Sequence, residues 1–264
     1  MPEEHYLYAF TWAGYLLKDP TQGVDPRFAV ELVPNGRVAA VSSCVGLDQF
    51  NVNQLEGKTA EEVTWLSRIA VRHNEIVAQV ASQSPVLPLR LGTIFNSRAS
   101  LLHKMTQCAT TVAGFLGELG DRQEWAAKIY VDREHARICL AHPTPSSPHF
   151  ASGRGAGVEY LRQRRTELQN KRKLDSHVQR EVTAVANTLE QHADRCRIVR
   201  NLSANLTGRE EKMAWNAAFL LPRSANDRWL AKVEQLRNAV RPKGLLLEVT
   251  GPWPAYHFCP ELNI

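Results

Sequence analysis

Residues 124–132 read EWAAKIYVD. Apolar and β-prone side chains fill positions 125–131, so the stretch predicts a strand, and the segments on its C-terminal side decide the fold of the second half. A segment rich in proline and small residues, 141–157, predicts a mobile loop. Residues 158–191 then predict one long helix, and 195–202 and 213–221 two strands, the second ending at Pro222. Ser224 is expected to cap a further helix, with Asp227 at its third position and Trp229, Leu230, Val233 and Leu236 on its apolar face. Arg241-Pro242-Lys243-Gly244 ends that helix, and residues 245–250 form the last strand. The order is βαββαβ, that of a ferredoxin-like fold, expected here as one four-stranded antiparallel sheet with both helices on the same face. The order says nothing about activity, because this fold hosts many functions.

The chain continues from the last strand into GPWPAYHF, residues 251–258. Each proline lacks an amide donor and holds the residue before it extended, which predicts a strap that neither coils into a helix nor joins a central strand. Trp253, Tyr256 and Phe258 then prefer contact to water, either on the body of the protein or on a partner.

Upstream of residue 122 the pattern differs. Residues 5–10 predict a strand, and 28–33 and 37–43 a hairpin turned at Pro34-Asn35-Gly36. Thr59 and Glu62 form a capping box ahead of Leu66, Ile69, His73, Ile76 and Val80 at helical spacing. Residues 86–91 predict a short strand, and 97–119 a second helix with Leu101, Met105, Cys108, Val112, Phe115 and Leu119 on one face, closed by Gly120. The chain is thus expected to be α+β in two domains: an α+β domain over 1–121, a ferredoxin-like domain over 122–250, and an extended tail over 251–264.

With 264 residues, 44% of them apolar and 22% charged, the chain has the composition of a soluble globular protein. No run approaches the roughly 18 apolar residues of a membrane span, and the acidic start MPEEHYLYAF is unlike a signal peptide, so a cytoplasmic protein is expected. The five cysteines are scattered and never in a CxxC pair, which excludes a disulfide framework and predicts mostly buried thiols. Charge is uneven: 9 Lys and Arg stand against 12 Asp and Glu over 1–121, and 23 against 15 over 122–264.

Catalytic, cofactor and metal sites are not expected. There is no GxSxG elbow, no phosphate-binding loop, no dinucleotide glycine pattern and no Cys beside a plausible His base. His73 lacks the second histidine that a helix-borne zinc pair needs and lies on the apolar stripe, so it reads as a core or domain-interface residue. Arg90, between Leu89 and Leu91 in a predicted strand, is expected on the face opposite its neighbours, as an internal clamp or a partner-binding cation. The cluster Arg162, Arg164, Arg165, Lys171, Arg172, Lys173 and Arg180 would suit nucleic acid, but Glu159, Glu167, Asp175 and Glu181 interrupt it. That interleaving is typical of a solvated helix face or of a protein-binding one. No strand carries the stacking aromatics of an RNA-binding sheet.

Several motifs in order carry a resemblance. They are YLYAF at the first strand, VAAVSS at 38–43, the helix with Trp65, Leu66 and His73, then VLPLRLGTIF at 86–95, EWAAKIYVD, Tyr160-Leu161, and the closing GPWP. Together they resemble the gas vesicle accessory family GvpF/GvpL over nearly the whole chain, departing from it at His257 and Cys259. The resemblance implies a non-enzymatic protein needed to assemble gas vesicles, the shells that give buoyancy. It implies binding to the shell protein GvpA and to other accessory Gvp proteins, as chaperone, nucleation factor or minor structural component. It also implies a cytoplasmic location in association with the vesicle, with no cofactor and no membrane. The expected partner-binding residues are Arg90, Arg164, Arg165, Trp253 and Tyr256. A basic ferredoxin-like nucleic-acid-binding module is the alternative.

Overall fold

The computed structural model describes residues 3–17, 21–46, 59–140 and 156–264. The chain forms two compact α+β units, one comprising Met1–Glu124 with Pro252–Ile264 and the other Trp125–Gly251. The mobile loop expected at 141–157 lies outside the described residues over 141–155, and Ala156 and Gly157 already belong to a helix.

In the first unit β1 (Glu3–Trp12) pairs antiparallel with β3 (Val38–Gly46), which pairs with β2 (Glu31–Asn35). On its other side β1 meets β4 (Leu87–Pro88) and β5 (Ile94–Phe95). Tyr6 through Phe10 of β1 are all buried, so this strand is covered on both faces and reads as an unbroken apolar run. The hairpin turn is Gly36-Arg37 rather than Pro34-Asn35-Gly36, because Asn35 pairs with Val38. Gly36 takes φ +63, and Pro34 stays in β2, where an edge strand tolerates its missing donor.

Helix α1 (Ala60–Ala81) starts at the capping box, with Thr59 Oγ1 accepting from Glu62 N and Glu62 accepting from Thr59 N. It buries Ile69, His73, Ile76, Val77 and Val80, and α2 (Arg98–Leu119) buries the whole stripe read from its sequence plus Leu116. Between them the strand expected over 86–91 is cut short. Thr93 folds back on the Arg90 carbonyl through its N–H and its hydroxyl, and Gly92 takes φ +80, so the segment makes two brief pairings with β1 separated by a turn. Arg90 sits in that turn and is exposed, not on a strand face.

The second unit is built from β6 (Arg122–Val131) from Trp125 on, α3 (Arg133–Leu140), α4 (Ala156–Glu190), β7 (Arg195–Ile198), α5 (Ala204–Thr207), β8 (Lys212–Pro222), α6 (Asn226–Val240) and β9 (Leu245–Trp253) as far as Gly251. Its sheet runs β7-β8-β6-β9. Alternate residues Trp125, Ala127 and Ile129 of β6, Trp215, Ala217, Phe219 and Leu221 of β8, and Leu245 and Leu247 of β9 share one core with Val182, Val185 and Leu189 of α4 and Trp229, Val233 and Val240 of α6. Both helices therefore cover the face that these alternate positions define.

Two local expectations differ from the structure. Ser224 does not cap α6; it lies in a 3-10 turn, Arg223–Ala225, that leads straight into the helix, and Asn226 at the helix start instead uses its side-chain carbonyl for the Trp125 indole at 3.1 Å. Helix α3 has no apolar stripe to announce it, because its eight residues carry a single buried position, Ala136. Asp132 Oδ1, accepting from His135 N at 2.9 Å, is its one legible N-cap signal. Ala136 packs so closely on Gly244 that a Cβ there would stand 2.5 Å from the Ala136 nitrogen, and Gly244 also takes φ +77.

The tail is also only partly the expected strap. Strand β9 runs on through Pro252 to Trp253, which its edge position permits, and Tyr256–Phe258 wind into one 3-10 turn closed by Phe258 N on the Ala255 carbonyl.

Trp229, 1% exposed, stands 5.8 Å from Trp125 and 5.6 Å from Phe219 between ring centroids, at the middle of the second core. Emptying that site in Trp229→Ala is expected to cost about 3–5 kcal/mol, read as a lower urea midpoint of the second unit's tryptophan fluorescence.

Candidate partner-binding surface

No group of three or more His, Cys, Asp or Glu side chains among the described residues could hold a metal ion. The thiols do not form a reactive centre either. Burial pushes Cys196 and Cys259 up to about 12, with Glu190 and Glu124 acting in the same direction. Cys139 is exposed, contrary to the expected burial, and its thiol donates to the Pro242 carbonyl at 2.9 Å.

His73 is the core histidine expected. The Tyr6 hydroxyl accepts from Gly92 N at 3.1 Å and shares a hydrogen bond of 3.0 Å with His73 Nδ1. Tyr6, Tyr8 and the imidazole lie within 5.7 Å of one another between centroids. Burial lowers His73 from 6.5 to about 4, the Leu89 carbonyl offsetting it in part. The unfolded chain takes up this proton near pH 6.5 and the folded chain only near pH 4, so stability present above pH 6.5 drains away as the pH falls to 4. The shift corresponds to about 3 kcal/mol. Urea midpoints measured across that window are expected to fall more steeply for the wild type than for His73→Gln, which carries no titrating ring.

The tail closes on a buried carboxylate. Glu124, 2% exposed, accepts from the His257 backbone N–H at 2.9 Å and from His257 Nδ1 at 2.6 Å. Phe258 and Ala255 are buried beside it, the Tyr256 hydroxyl donates to Asn74 Oδ1 at 3.0 Å, and the Cys259 thiol donates to the Ala255 carbonyl at 3.2 Å. Trp253, which the sequence marks as a docking ring, is 49% exposed instead. His257→Ala removes one of the two donors named for Glu124 and is expected to cost about 1–3 kcal/mol. It should also make the last residues the first site of limited proteolysis, whereas Trp253→Ala leaves the midpoint nearly unchanged.

A groove missed in the sequence lies between α1 and the loop at 21–30. Arg72 donates to the Gln22 carbonyl through Nε and Nη2 at 3.1 and 2.7 Å, which ties this loop to the helix. Asp25, buried and held well below the usual carboxylate range by the Arg27 guanidinium, also accepts from Gly46 N at 3.2 Å. The groove encloses about 480 Å³ lined by Val24, Pro26, Trp65, Arg68, Ile69 and Arg72. The legible signal was Asp25-Pro26-Arg27, a turn sequence with a cation placed to close on the acid.

The five residues marked by the sequence are thus distributed over two units. Arg90, Trp253 and Tyr256 belong to the first unit, where the Arg90 side chain has no ion-pair partner among the described residues. Arg164 and Arg165 are exposed on α4 in the second, and Arg164 reaches only Glu167, at 3.4 Å.

Residues 4–260 match the family described as "Gas vesicle synthesis protein GvpL/GvpF". The chain is 28% identical over 264 residues to gas vesicle protein L of Streptomyces sp. (strain CB03234), covering 96% of this chain and 91% of that protein. Its fold resembles the crystal structure of GvpF from Anabaena sp. PCC7120 with a TM-score of 0.71 at 17% identity, covering 98% of this chain and 97% of the other. The crystal structure of GvpF from Microcystis aeruginosa superposes with a TM-score of 0.69 at 15% identity, covering 99% of this chain and all of that one.

Proposed function

Because the chain belongs to the GvpL/GvpF family of gas vesicle synthesis proteins, a family of structural and assembly proteins with a role in the gas vesicle, we propose that it holds the small apolar shell protein, GvpA, during assembly. The observation that carries this reading is the match of residues 4–260, which takes in both units and the tail. A shell subunit apolar enough to exclude liquid water from one face aggregates before it is built in, and a soluble binding protein with apolar and cationic surface suppresses that. The exposed Arg90 and Leu91, with Trp253 and Tyr256, supply such a surface in the first unit, and Arg164 and Arg165 supply cations in the second. Other accessory Gvp proteins are further partners. The strand order β7-β8-β6-β9 with two helices on one core supports the ferredoxin-like reading of the second unit. No helix among the described residues is long and apolar enough to cross a membrane, in keeping with a cytoplasmic protein attached to the vesicle. The protein works without catalytic turnover and without a cofactor.

Co-expression with the shell protein tests the reading. The purified protein is expected to retain the shell protein, and Arg90→Glu combined with Trp253→Ala to weaken retention by about tenfold, roughly 1.4 kcal/mol. A protein that retains no gas vesicle component and instead binds duplex nucleic acid at physiological salt is the alternative, a basic nucleic-acid module.

A further inference from the structure

Helix α4 is 35 residues long, about 52 Å, and much of its described first half is exposed. From Tyr160 to Lys173 every described side chain is exposed, and burial begins only at Leu174. A helix whose first half is polar all round needs no explanation, but this half is not. Its sequence repeats: Leu161 is followed three and four residues later by Arg164 and Arg165, and Leu168, seven residues on, by Lys171 and Arg172. Residues seven apart fall at nearly the same angle on a helix. The two leucines, 67% and 48% exposed, therefore line up in one seam, with one cation row on each side. Arg164 makes an exposed pair with Glu167, of little energetic weight, and no ion pair of Arg165, Lys171 or Arg172 is seen among the described residues.

The buried face of α4 is a different one: Leu174, six residues after Leu168, stands about 120° round the helix from the seam. A cavity of about 190 Å³ is floored by Val131, Leu174, Val178 and Met213, and the exposed cations Arg133 and Lys212 also line it.

We propose that residues 160–173 of α4 form a docking seam for an acidic amphipathic helix of a partner protein, with the partner's apolar side chains on Leu161 and Leu168 and its carboxylates on the two cation rows. Charge decides the occupant. A second copy would set Arg165 and Arg172 against their own equivalents, a like-charge seam that opposes self-pairing. A nucleic-acid duplex would neutralise the cations but press two exposed leucines onto phosphate, with no apolar surface to receive them. A helix with leucines flanked on both sides by Glu or Asp satisfies both rows and the seam at once. This deepens the proposed function by giving the partner held at Arg164 and Arg165 a chemistry, and it uses a surface separate from Arg90 and Trp253, so the co-expression test and the peptide titration fail independently.

The full-length protein is titrated into a fluorescein-labelled synthetic peptide of about four heptads, long enough to be helical, with leucine at the seam and glutamate at every flanking position. The same peptide with lysine in place of glutamate is the control. The acidic peptide is expected to bind at least about tenfold more tightly than the lysine peptide, Leu161→Asp with Leu168→Asp to lose about tenfold, and Arg165→Glu with Arg172→Glu to abolish the preference. All these positions are exposed, so thermal melts of the variants are expected to match the wild type. Absence of binding, equal binding of the two peptides, an unaffected leucine variant, or displacement of the peptide by a short duplex at physiological salt would each overturn the proposal.

Discussion

A carboxylate buried where one unit passes into the next must find donors, and Glu124 finds them at the other end of the sequence. His257 lies 133 residues away and supplies both its backbone N–H and its ring. Without them the buried oxygens would face the desolvation cost of an unpaired charge. This demand ties Pro252–Ile264 into the first unit, and it makes the second unit an insertion whose entering and leaving strands, β6 and β9, are neighbours in one sheet. The tail is thus a structural part of the first unit, held by one turn of 3-10 helix and a buried phenylalanine rather than by the exposed tryptophan.

Each unit solves its packing differently. The first covers β1 on both faces and admits a small polar network, in which Tyr6, Tyr8 and His73 share hydrogen bonds with Gly92, Val24 and Ser43. Such groups tolerate burial because the hydroxyls are satisfied, and the histidine does so by remaining neutral. The second unit fills its core with Trp125, Trp215, Phe219 and Trp229, and buries Asn216 with its side-chain amide donating to the Arg200 carbonyl. Large rings from both strands and helices then interlock at tilted angles. The same contrast appears in the charges: an excess of acids over 1–121 and a large excess of bases over 122–264. The first unit has a groove lined by Trp65 and Arg68, and the second an exposed cationic helix face.

The sequence by itself determined the elements whose signals are local. The α1 and α2 stripes, the Thr59–Glu62 box, the alternation in β6, β8 and β9 and the helix stop at Gly244 all follow from side chains within a turn or two of one another, and the order of strands and helices follows from them. The family was legible too, because it rests on motifs in order rather than on contacts. The tertiary structure decided everything that depends on a distant partner. It split residues 86–95 into two pairings around an exposed Arg90, let β9 continue through Pro252 by placing it at an edge, folded α3 onto Gly244, and gave Glu124 its histidine. Periodicity records which face of an element is apolar; it carries no information about what that face, or a lone carboxylate, will meet after the chain has closed on itself.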